Sequence, residues 1–497
     1  MNRTSSLWQG ALILTAAGCA SRIIGFFYRI FLSYTIGAKG VGLYQLIFPV
    51  YVMTFSLSSS GIQTAISKYT AQYHASGDLK RARQILVSGL CLSVGASSLC
   101  AIFLFTRASW ISVHLLLEPS CAKLLKIIAF AAPFGCIHAC LHGCFFGLKR
   151  TAIPAISQLL EQAARTGASF LVFCIFLEKG LSPSPVIAAA GMTVGELVST
   201  LFTITMWIFT EQKGARPMLP SKTAFREILQ MSLPLTASRG LLTLLQSVEA
   251  VCIPANLISF GLSRDQALSV YGVLTGMALP LILFPSALTN ALSVMLLPSV
   301  SEDASLNRTD HICRTVSSTT AACMWLGIFC TTAFLLTGKE LGLLLFHSSL
   351  AGSFLLTLAW ICPFLYLAVT LTSILNGMGQ TLLTFFLHAF SLVIRLLFVW
   401  YAIPRFGIQS CLWGLLASEL FLACSAFLSL KRKLRFSANP AAWIVKPCTA
   451  SVISAGVYLF FDKLLRIPAC SSFLRLVISG LVMTGTFFFF FQSGSVV

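Results

Sequence analysis

A succession of long apolar segments, interrupted by few charges, dominates this chain. A transmembrane helix needs roughly 20 apolar residues. The sequence has 497 residues, of which 57% are hydrophobic and only 10% are charged, and its mean hydropathy is +0.87. Because a soluble protein of this length needs far more charged surface, the composition indicates an all-α polytopic membrane protein.

Fourteen segments fit the length of a membrane span, and both their number and their short connections limit what the chain can do. They lie at about 7–36, 41–66, 85–106, 127–147, 152–177, 184–210, 228–255, 267–298, 315–336, 353–375, 382–404, 407–430, 447–461 and 471–492. The first is too long for a signal peptide and is expected to span. The eighth contains Pro280, Pro285 and Pro298 and is expected to kink. No connection is large enough for a catalytic domain, so the sequence predicts no enzyme.

Lysine and arginine concentrate in the connections that lie on the same side as the N-terminus. The dense clusters are Lys80, Arg81 and Arg83; Lys149 and Arg150; Lys213, Arg216, Lys222 and Arg226; and Lys431 to Arg435. The positive-inside rule then places both termini in the cytoplasm, since the number of spans is even. The net charge of +19 is thus explained by topology and by contact with anionic membrane lipids rather than by nucleic-acid binding.

Two halves of the chain share a weak internal repeat. Ala20-Ser21-Arg22 in the first span matches Ala237-Ser238-Arg239 in the seventh, and an ungapped offset of 230 pairs Arg165 with Arg395. Because six spans are an even number, both copies enter the membrane in the same direction, which defines a parallel repeat. We therefore predict an N-terminal six-helix lobe at 1–224, a C-terminal six-helix lobe at 225–432, and two additional helices at 433–497.

Ionisable side chains inside the predicted spans are the main candidates for a functional site, since burying them in lipid is costly. In the first twelve spans the arginines are Arg22, Arg29, Arg165, Arg239 and Arg395, and the acids are Glu161, Glu196, Glu249 and Glu419. One interpretation is that these charges pair and hold helices together, as Glu161 and Arg165 can at a spacing of four residues. The other is that the arginines line a water-filled cavity. We expect a cavity role because five arginines face four acids.

The segment Cys136-Ile-His-Ala-Cys-Leu-His-Gly-Cys144 invites a metal-site hypothesis. Its cysteines recur every four residues and share one helix stripe, while His138 and His142 lie on another. A single helix does not surround an ion with ligands, and small residues at this spacing more often form a close helix–helix contact. We therefore interpret the segment as packing, treat the cysteines as small apolar residues, and predict neither a metal nor a cofactor.

Several short motifs resemble those of a known superfamily. Ser21-Arg-Ile-Ile-Gly25 in the first span, Gly42-Leu-Tyr44 at the start of the second and Ile66-Ser-Lys68 at its end accompany the plan of six, six and two helices. Together they resemble the multidrug/oligosaccharidyl-lipid/polysaccharide exporter superfamily. The branch they resemble most comprises the stage V sporulation protein B and polysaccharide-export group, which is similar to the lipid II flippases of bacterial cell-wall synthesis.

The resemblance implies a bacterial cell-membrane transporter with two lobes around a central cationic cavity. Such a protein flips an undecaprenyl-pyrophosphate-linked saccharide from the inner to the outer leaflet by alternating access, for cell-wall, spore-cortex or surface polysaccharide synthesis. Arg22 matches an essential cavity arginine of lipid II flippases, whereas Arg29 lies one residue later than the second arginine of that motif. The implied partners are the lipid-linked saccharide, membrane lipids and cell-wall synthesis proteins, and the implied oligomeric state is a monomer.

Guanidinium groups fit phosphate oxygens well, which agrees with a pyrophosphate-linked substrate. The alternative is a cation-coupled multidrug exporter of the same superfamily, whose cavity should be acidic. Arginines outnumber acids within the predicted spans, so the sequence favours the anionic substrate.

Overall fold

Helices joined by short turns make up the computed structural model, which describes residues 3–210, 220–434, 436, 439–466 and 472–494. No strand occurs in those ranges. The prediction of an all-α polytopic membrane protein is confirmed. Three members of the predicted basic clusters, Lys213, Arg216 and Arg435, lie outside the described residues.

The chain divides into two compact units, Met1–Gly272 and Val273–Val497. The first unit contains α1 (Arg3–Phe55), α2 (Gly61–Ala75), α3 (Leu79–Thr106), α4 (Ala108–Trp110), α5 (Cys121–Ala129), α6 (Ala131–Gly147), α7 (Ala152–Glu178), α8 (Val186–Thr210), α9 (Lys222–Ser259) and α10 (Arg264–Gly272). The second contains α11 (Leu279–Leu283), α12 (Ser286–Ser305), α13 (Thr309–Phe346), α14 (Ser349–Leu358), α15 (Cys362–Gly377), α16 (Thr381–Leu397), α17 (Ile403–Phe406), α18 (Ile408–Leu434), α19 (Lys446–Arg466) and α20 (Ser472–Gly494). The predicted lobe boundaries at 224 and 432 stay a prediction.

Short segments of wider or tighter helix link several of these elements. The π-helical segments are Ser56–Ser60, Ile111–Leu115, Val273–Ala278, Phe398–Ala402 and Ala441–Val445, and a 3-10 turn covers Ala359–Ile361. π-Helical turns change the hydrogen-bond register and are frequent at functional sites. One of them, Ser56–Ser60, lies within the candidate site described below.

The apolar helices agree with fourteen spans, although length and composition alone identify fewer. Among the described residues, eleven helical runs are long and apolar enough to cross a membrane, and twelve if the bent pair Cys121–Ala129 and Ala131–Gly147 forms one span. The run Ile13–Ala75 has 63 residues, or about 95 Å of helix, which is three times the thickness of a hydrocarbon core. It therefore holds two spans, and the shorter apolar helix Leu474–Phe490 is a further candidate.

Gly37 divides the first two spans. Its backbone has φ +66° and ψ 176°, a conformation that is open to glycine but strained for other residues, and it interrupts α1. Five residues later, Gly42 approaches the backbone of α10 so closely that a Cβ there would lie 2.1 Å from the carbonyl oxygen of Leu268. Glycine thus ends one span and lets the next pack tightly within the first unit.

The eighth predicted span is broken, as its prolines indicate. α11 ends at Leu283 and α12 begins at Ser286, directly after Pro285, which lacks a backbone N–H to continue the helix. Pro298 lies inside α12 without ending it.

Within the second unit, the last two helices are tied to α13 by an ion-pair network. Arg475 of α20 approaches Glu340 of α13 at 2.7 Å between Nη2 and Oε1, and Asp462 of α19 at 2.8 Å between Nε and Oδ1. Aromatic packing of Trp325 against Phe487, with ring centroids 5.3 Å apart, joins α13 and α20 at a second point.

Candidate functional site

The first charged contact of the site lies on a single helix. Glu161 and Arg165 are one turn apart on α7 and form an ion pair, and each side chain is 15% exposed. The spacing of four residues brings the two groups together on one helix face. The pair therefore keeps a negative and a positive charge together in a largely apolar region.

α8 packs against this face of α7 through two glycines. A Cβ at Gly195 would lie 3.0 Å from the carbonyl oxygen of Glu161 and 3.1 Å from Cβ of Arg165, and one at Gly191 would lie 2.7 Å from the carbonyl oxygen of Arg165. Small residues allow this close approach of two helix backbones. The approach positions Glu196, the residue after Gly195, beside the ion pair.

Glu196 is buried and receives contacts from two other helices. Tyr51 of α1 donates a hydrogen bond from its hydroxyl to Oε1 of Glu196 at 2.9 Å. Nδ1 of His138 on α6 lies 3.8 Å from Oε2 of the same carboxylate. A buried carboxylate is stable only with such partners, so three helices converge on this side chain.

His138 has its ring oriented by serines. Its Nε2 lies 2.8 Å from Oγ of Ser157 on α7, and its Nδ1 lies 3.4 Å from Oγ of Ser199 on α8. The neighbouring ring of His142 is 4.0 Å away between centroids. These contacts fix which nitrogen faces Glu196 and hold the imidazole within the site.

His138, Glu161 and Glu196 form a compact group of proton acceptors. One ligand atom from each lies within 4.8 Å of the corresponding atoms of the other two. Arg165 is the guanidinium group beside these two carboxylates, through its ion pair with Glu161. We call these four residues the polar cluster.

The first span presents a different surface. Arg22 and Arg29 are exposed, and a Cβ at Gly18, one turn before Arg22, would meet nothing within 4 Å. A Cβ at Gly25 would have Oε1 of Gln162 as its nearest neighbour, at 3.8 Å. This stripe of α1 is therefore an open face that carries two guanidinium groups, which we call the arginine face.

The arginine face and the polar cluster lie close enough to influence one another. Arg29 is within electrostatic range of Tyr44 and Arg165. Tyr28, next to Arg29, shares a hydrogen bond of 2.9 Å with Oγ of Ser169 on α7. Together these contacts hold α1 against α7 beside the ion pair.

Arg239 and Glu249 lie on α9 in the same unit. Nη1 of Arg239 donates to the carbonyl oxygen of Ser60 at 2.9 Å, at the end of the π-helical segment Ser56–Ser60. Gly61 allows this approach, since a Cβ there would lie 2.4 Å from the carbonyl oxygen of Ser232 on α9. Arg239 is exposed, whereas Glu249 is buried.

The remaining two predicted site residues belong to the second unit. Arg395 lies on α16 and Glu419 on α18, and both are half-buried. These two helices pack together, with Oγ of Ser391 donating to the carbonyl oxygen of Ser418 at 3.1 Å. Arg395 is one turn from Ser391 and Glu419 follows Ser418, so the two charges occur on neighbouring helices.

His138 and Tyr51 were not among the residues predicted for the site. In the sequence, His138 stands among the cysteines of its own helix, which suggests only a metal ligand, and nothing there relates it to Glu196, 58 positions away. An ionisable residue in an apolar span is a functional candidate by default, and this signal would have found His138. Tyr51 has no comparable signal, since tyrosine is common in spans.

Comparison with known proteins identifies relatives of this chain. A model of the family described as polysaccharide biosynthesis protein matches residues 7–302. Stage V sporulation protein B of Bacillus subtilis (strain 168) is 29% identical over 378 residues, which cover 75% of this chain and 73% of that protein. Lipid II flippase MurJ of the same organism is 24% identical over 325 residues, which cover 60% of this chain and 58% of that protein.

Solved structures share the fold. The inward closed conformation of the lipid II flippase MurJ matches with a TM-score of 0.74 and 13% identity, covering 96% of this chain and 98% of that one. An inward-facing multidrug resistance MATE family transporter of the MOP superfamily matches with a TM-score of 0.63 and 15% identity, covering 86% and 98%. The flippase and the multidrug transporter thus share one fold with this chain.

Proposed function

The chain belongs to the polysaccharide biosynthesis protein family, and we propose that it flips an undecaprenyl-pyrophosphate-linked saccharide from the inner to the outer leaflet. It is a multi-pass membrane transporter of the superfamily that contains the lipid II flippase and the MATE transporters. Family members are transporters or flippases rather than enzymes. The proposed cargo is lipid II or another polysaccharide precursor, moved by alternating access.

The arginine face is the observation that supports this substrate. Arg22 and Arg29 are exposed on a helix of membrane-spanning length, and the helix surface around Gly18 is open. Because a guanidinium group facing lipid is costly, intramembrane arginines usually face a water-filled cavity or a charged partner. A pyrophosphate offers oxygens that guanidinium groups bind in bidentate geometry, and this match selects an anionic head group.

The polar cluster has a supporting role in this proposal. Glu161 engages Arg165, so the positive charge of that arginine is largely balanced. Arg22 and Arg29 then offer the pyrophosphate two guanidinium groups on an exposed helix face. Tyr51 and His138 contact Glu196, so that carboxylate also has partners within the first unit.

A cation-coupled multidrug exporter is the second candidate, and the carboxylates of the polar cluster favour it. Such an exporter needs an ionisable acid that exchanges a cation. Glu161 is engaged by Arg165 and Glu196 accepts from Tyr51, so both carboxylates have partners in this conformation. The anionic substrate remains the better fit because the exposed charges of the arginine face are positive.

The proposed placement in the cell follows from the basic connections. We propose that both termini face the cytoplasm, since the lysine- and arginine-rich connections do so under the positive-inside rule. We further propose that the transporter acts as a monomer alongside proteins of cell-wall synthesis.

Substitution of Arg22 in purified protein tests the function. In liposomes containing a fluorescent lipid-linked saccharide, Arg22→Ala should reduce flipping at least tenfold, and Arg22→Lys should also be impaired because an ammonium group lacks the bidentate geometry. Arg107→Ala, at an exposed arginine following α3, is the matched control and should flip at the wild-type rate. Full flipping by a folded Arg22→Ala variant would exclude the arginine face as the binding site.

A further inference from the structure

Helix α7 carries a stripe of polar side chains, although it has the length and composition of a membrane span. The members of the stripe recur at intervals of three and four residues and are Gln158, Glu161, Gln162, Arg165 and Ser169. This spacing places them on one side of the helix. The exposed apolar residues Ile156, Phe170 and Leu171 lie on the opposite side, so the polar stripe faces away from the surface that suits lipid.

Two amides of this stripe have no partner, unlike its other members. Glu161 and Arg165 pair with each other, and Ser169 bonds to α1. The side-chain amides of Gln158 and Gln162 make no hydrogen bond within the part of the chain that the structure describes. Gln158 is exposed and Gln162 is half-buried, so both amides are accessible to a ligand. We call these two residues the glutamine pair.

Gln162 lies beside the arginine face. Its Oε1 is the atom nearest to the position that a Cβ at Gly25 would take, at 3.8 Å. Gly25 lies one turn after Arg22 and one turn before Arg29. Because Gly25 has no side chain, the position between α1 and the amide is left open, next to the turns that carry the two guanidinium groups.

Gln158 lies toward the level of Arg22. The hydroxyl of Tyr28 and Oγ of Ser169 are 2.9 Å apart, and both residues come later in their helices than the contact between Gly25 and α7. The two helices therefore run in the same direction. The turn of α7 that precedes this contact, which contains Gln158, accordingly lies beside the turn of α1 that contains Arg22.

The chemistry of the glutamine pair differs from that of the arginine face. A carboxamide has two N–H donors and a carbonyl acceptor, whereas a guanidinium group only donates. An ionised phosphate offers only acceptors, so the carbonyl oxygen of a glutamine finds no donor on it. Sugar hydroxyls both donate and accept. Two glutamines one turn apart, with about 5–6 Å between their Cβ atoms, can bind neighbouring groups of one saccharide.

We propose that Gln158 and Gln162 form a sugar subsite beside the pyrophosphate site and bind hydroxyl or amide groups of the saccharide. The subsite rests on the proposed function, since it takes the pyrophosphate to lie at the arginine face. The arginine face then selects the charge of the head group, and the glutamine pair favours a pyrophosphate with an attached sugar over a bare one. Polar groups inside a span usually face a water-filled cavity, which agrees with a soluble head group at this stripe.

Binding of two lipids to the full-length protein in nanodiscs tests the subsite. One is undecaprenyl pyrophosphate, and the other is the same lipid with a single N-acetylglucosamine attached, so the sugar is the only difference. The wild type should bind the sugar-linked lipid on the order of tenfold more tightly, because two side chains add neutral hydrogen bonds. Gln158→Leu with Gln162→Leu should remove this preference and leave the affinity for undecaprenyl pyrophosphate unchanged.

Gln72→Leu is the matched control, because Gln72 is an exposed glutamine on α2, outside α1 and α7. It should keep the wild-type preference. Thermal unfolding checks that each variant is folded, and the two single substitutions replace the pair if the double variant does not fold. A preference that survives in the glutamine variants would overturn the subsite. A wild type without any preference would also overturn it, since the amides would then contact only water.

Arg22→Ala separates failure of the subsite from failure of the proposed function. It should weaken both lipids to the same extent, because both carry the pyrophosphate. If Arg22→Ala changed neither affinity, the pyrophosphate site and the subsite built on it would both be wrong. If Arg22→Ala weakened both lipids while the glutamine variants kept the preference for the sugar, only the subsite would be wrong.

Discussion

The hydroxyl of Tyr51 donates a hydrogen bond to Oε1 of Glu196 at 2.9 Å, although 145 positions separate the two residues. The contact joins the second apolar span of α1 to α8 and satisfies a buried carboxylate. A Cβ at Gly135 would lie 2.8 Å from that hydroxyl and 3.2 Å from Oε2 of Glu196, so a glycine of α6 leaves room for the pair. Three helices of the first unit therefore meet at this hydrogen bond.

Tyr51→Phe should destabilise the protein and slow transport. The substitution keeps the ring and removes the donor, which leaves a buried carboxylate short of one partner at a cost of about 1–3 kcal/mol in the free energy of unfolding. Thermal unfolding in detergent measures the first effect, and flipping of a lipid-linked saccharide in liposomes measures the second.

Tyr401→Phe is the matched control, because Tyr401 is 66% exposed and lies in the π-helical segment Phe398–Ala402. It should leave both measurements unchanged. If Tyr51→Phe unfolded at the wild-type temperature and transported at the wild-type rate, the hydrogen bond would have no role in holding Glu196.

The ion pair of Glu161 with Arg165 should show strong coupling in a double-mutant cycle. Glu161→Gln or Arg165→Gln alone leaves one charge without its partner in a largely apolar region. Each side chain is 15% exposed, so we expect a loss between the about 1 kcal/mol of a surface pair and the about 3–5 kcal/mol of a fully buried one. The double variant should be more stable than the sum of the single losses implies. Strict additivity of the two losses would show that the pair is not coupled.

Gly42→Ala should be among the more damaging glycine substitutions. The new methyl group would lie 2.1 Å from the carbonyl oxygen of Leu268, which belongs to backbone and cannot rotate away. We expect a loss of about 1–3 kcal/mol in the free energy of unfolding, as for overpacking elsewhere. Gly95→Ala on α3 is the control, since a Cβ there meets nothing within 4 Å. Alanine is the better helix former, so the control should unfold at or slightly above the wild-type temperature, and the opposite order would refute the packing argument.

The ion-pair network of the second unit should hold its last two helices in place. Asp462→Asn removes the carboxylate that approaches Nε of Arg475, while Glu340 still approaches its Nη2. We expect partial loosening of α19 from α20, detected as faster amide hydrogen exchange in both helices and an unchanged rate in α1. Exchange that rises equally throughout the protein would indicate global destabilisation instead.

The helical class and the positions of the spans follow from the sequence because their signal is local. Apolar length alone predicts most helices, and the prolines near Pro285 predict the break between α11 and α12. The length of α1 was harder to predict from the sequence, because the helix continues through two predicted spans and is interrupted only by the conformation of Gly37.

The candidate site was predicted only in part, and the reason is geometric. The spacing of Glu161 and Arg165 on one helix reveals their pairing. The contact of Glu196 with Tyr51 and His138 depends on how α1, α6 and α8 pack, and no local pattern encodes that packing. The partner of Arg239 could not be predicted for the same reason. Its acceptor is the backbone carbonyl oxygen of Ser60, 179 positions away, and because every residue has such a carbonyl, the sequence does not single this one out.

The sign of the charge on the transported head group distinguishes a flippase of lipid-linked saccharides from an exporter of cations. Proteoliposomes with the wild-type protein are compared for flipping of a lipid-linked saccharide and for efflux of a cationic dye under a Na⁺ or H⁺ gradient. We expect flipping that weakens with added salt and with Arg22→Ala, and dye efflux no faster than in empty liposomes. Rapid dye efflux that Glu196→Gln abolishes, with no flipping of the saccharide, would contradict it.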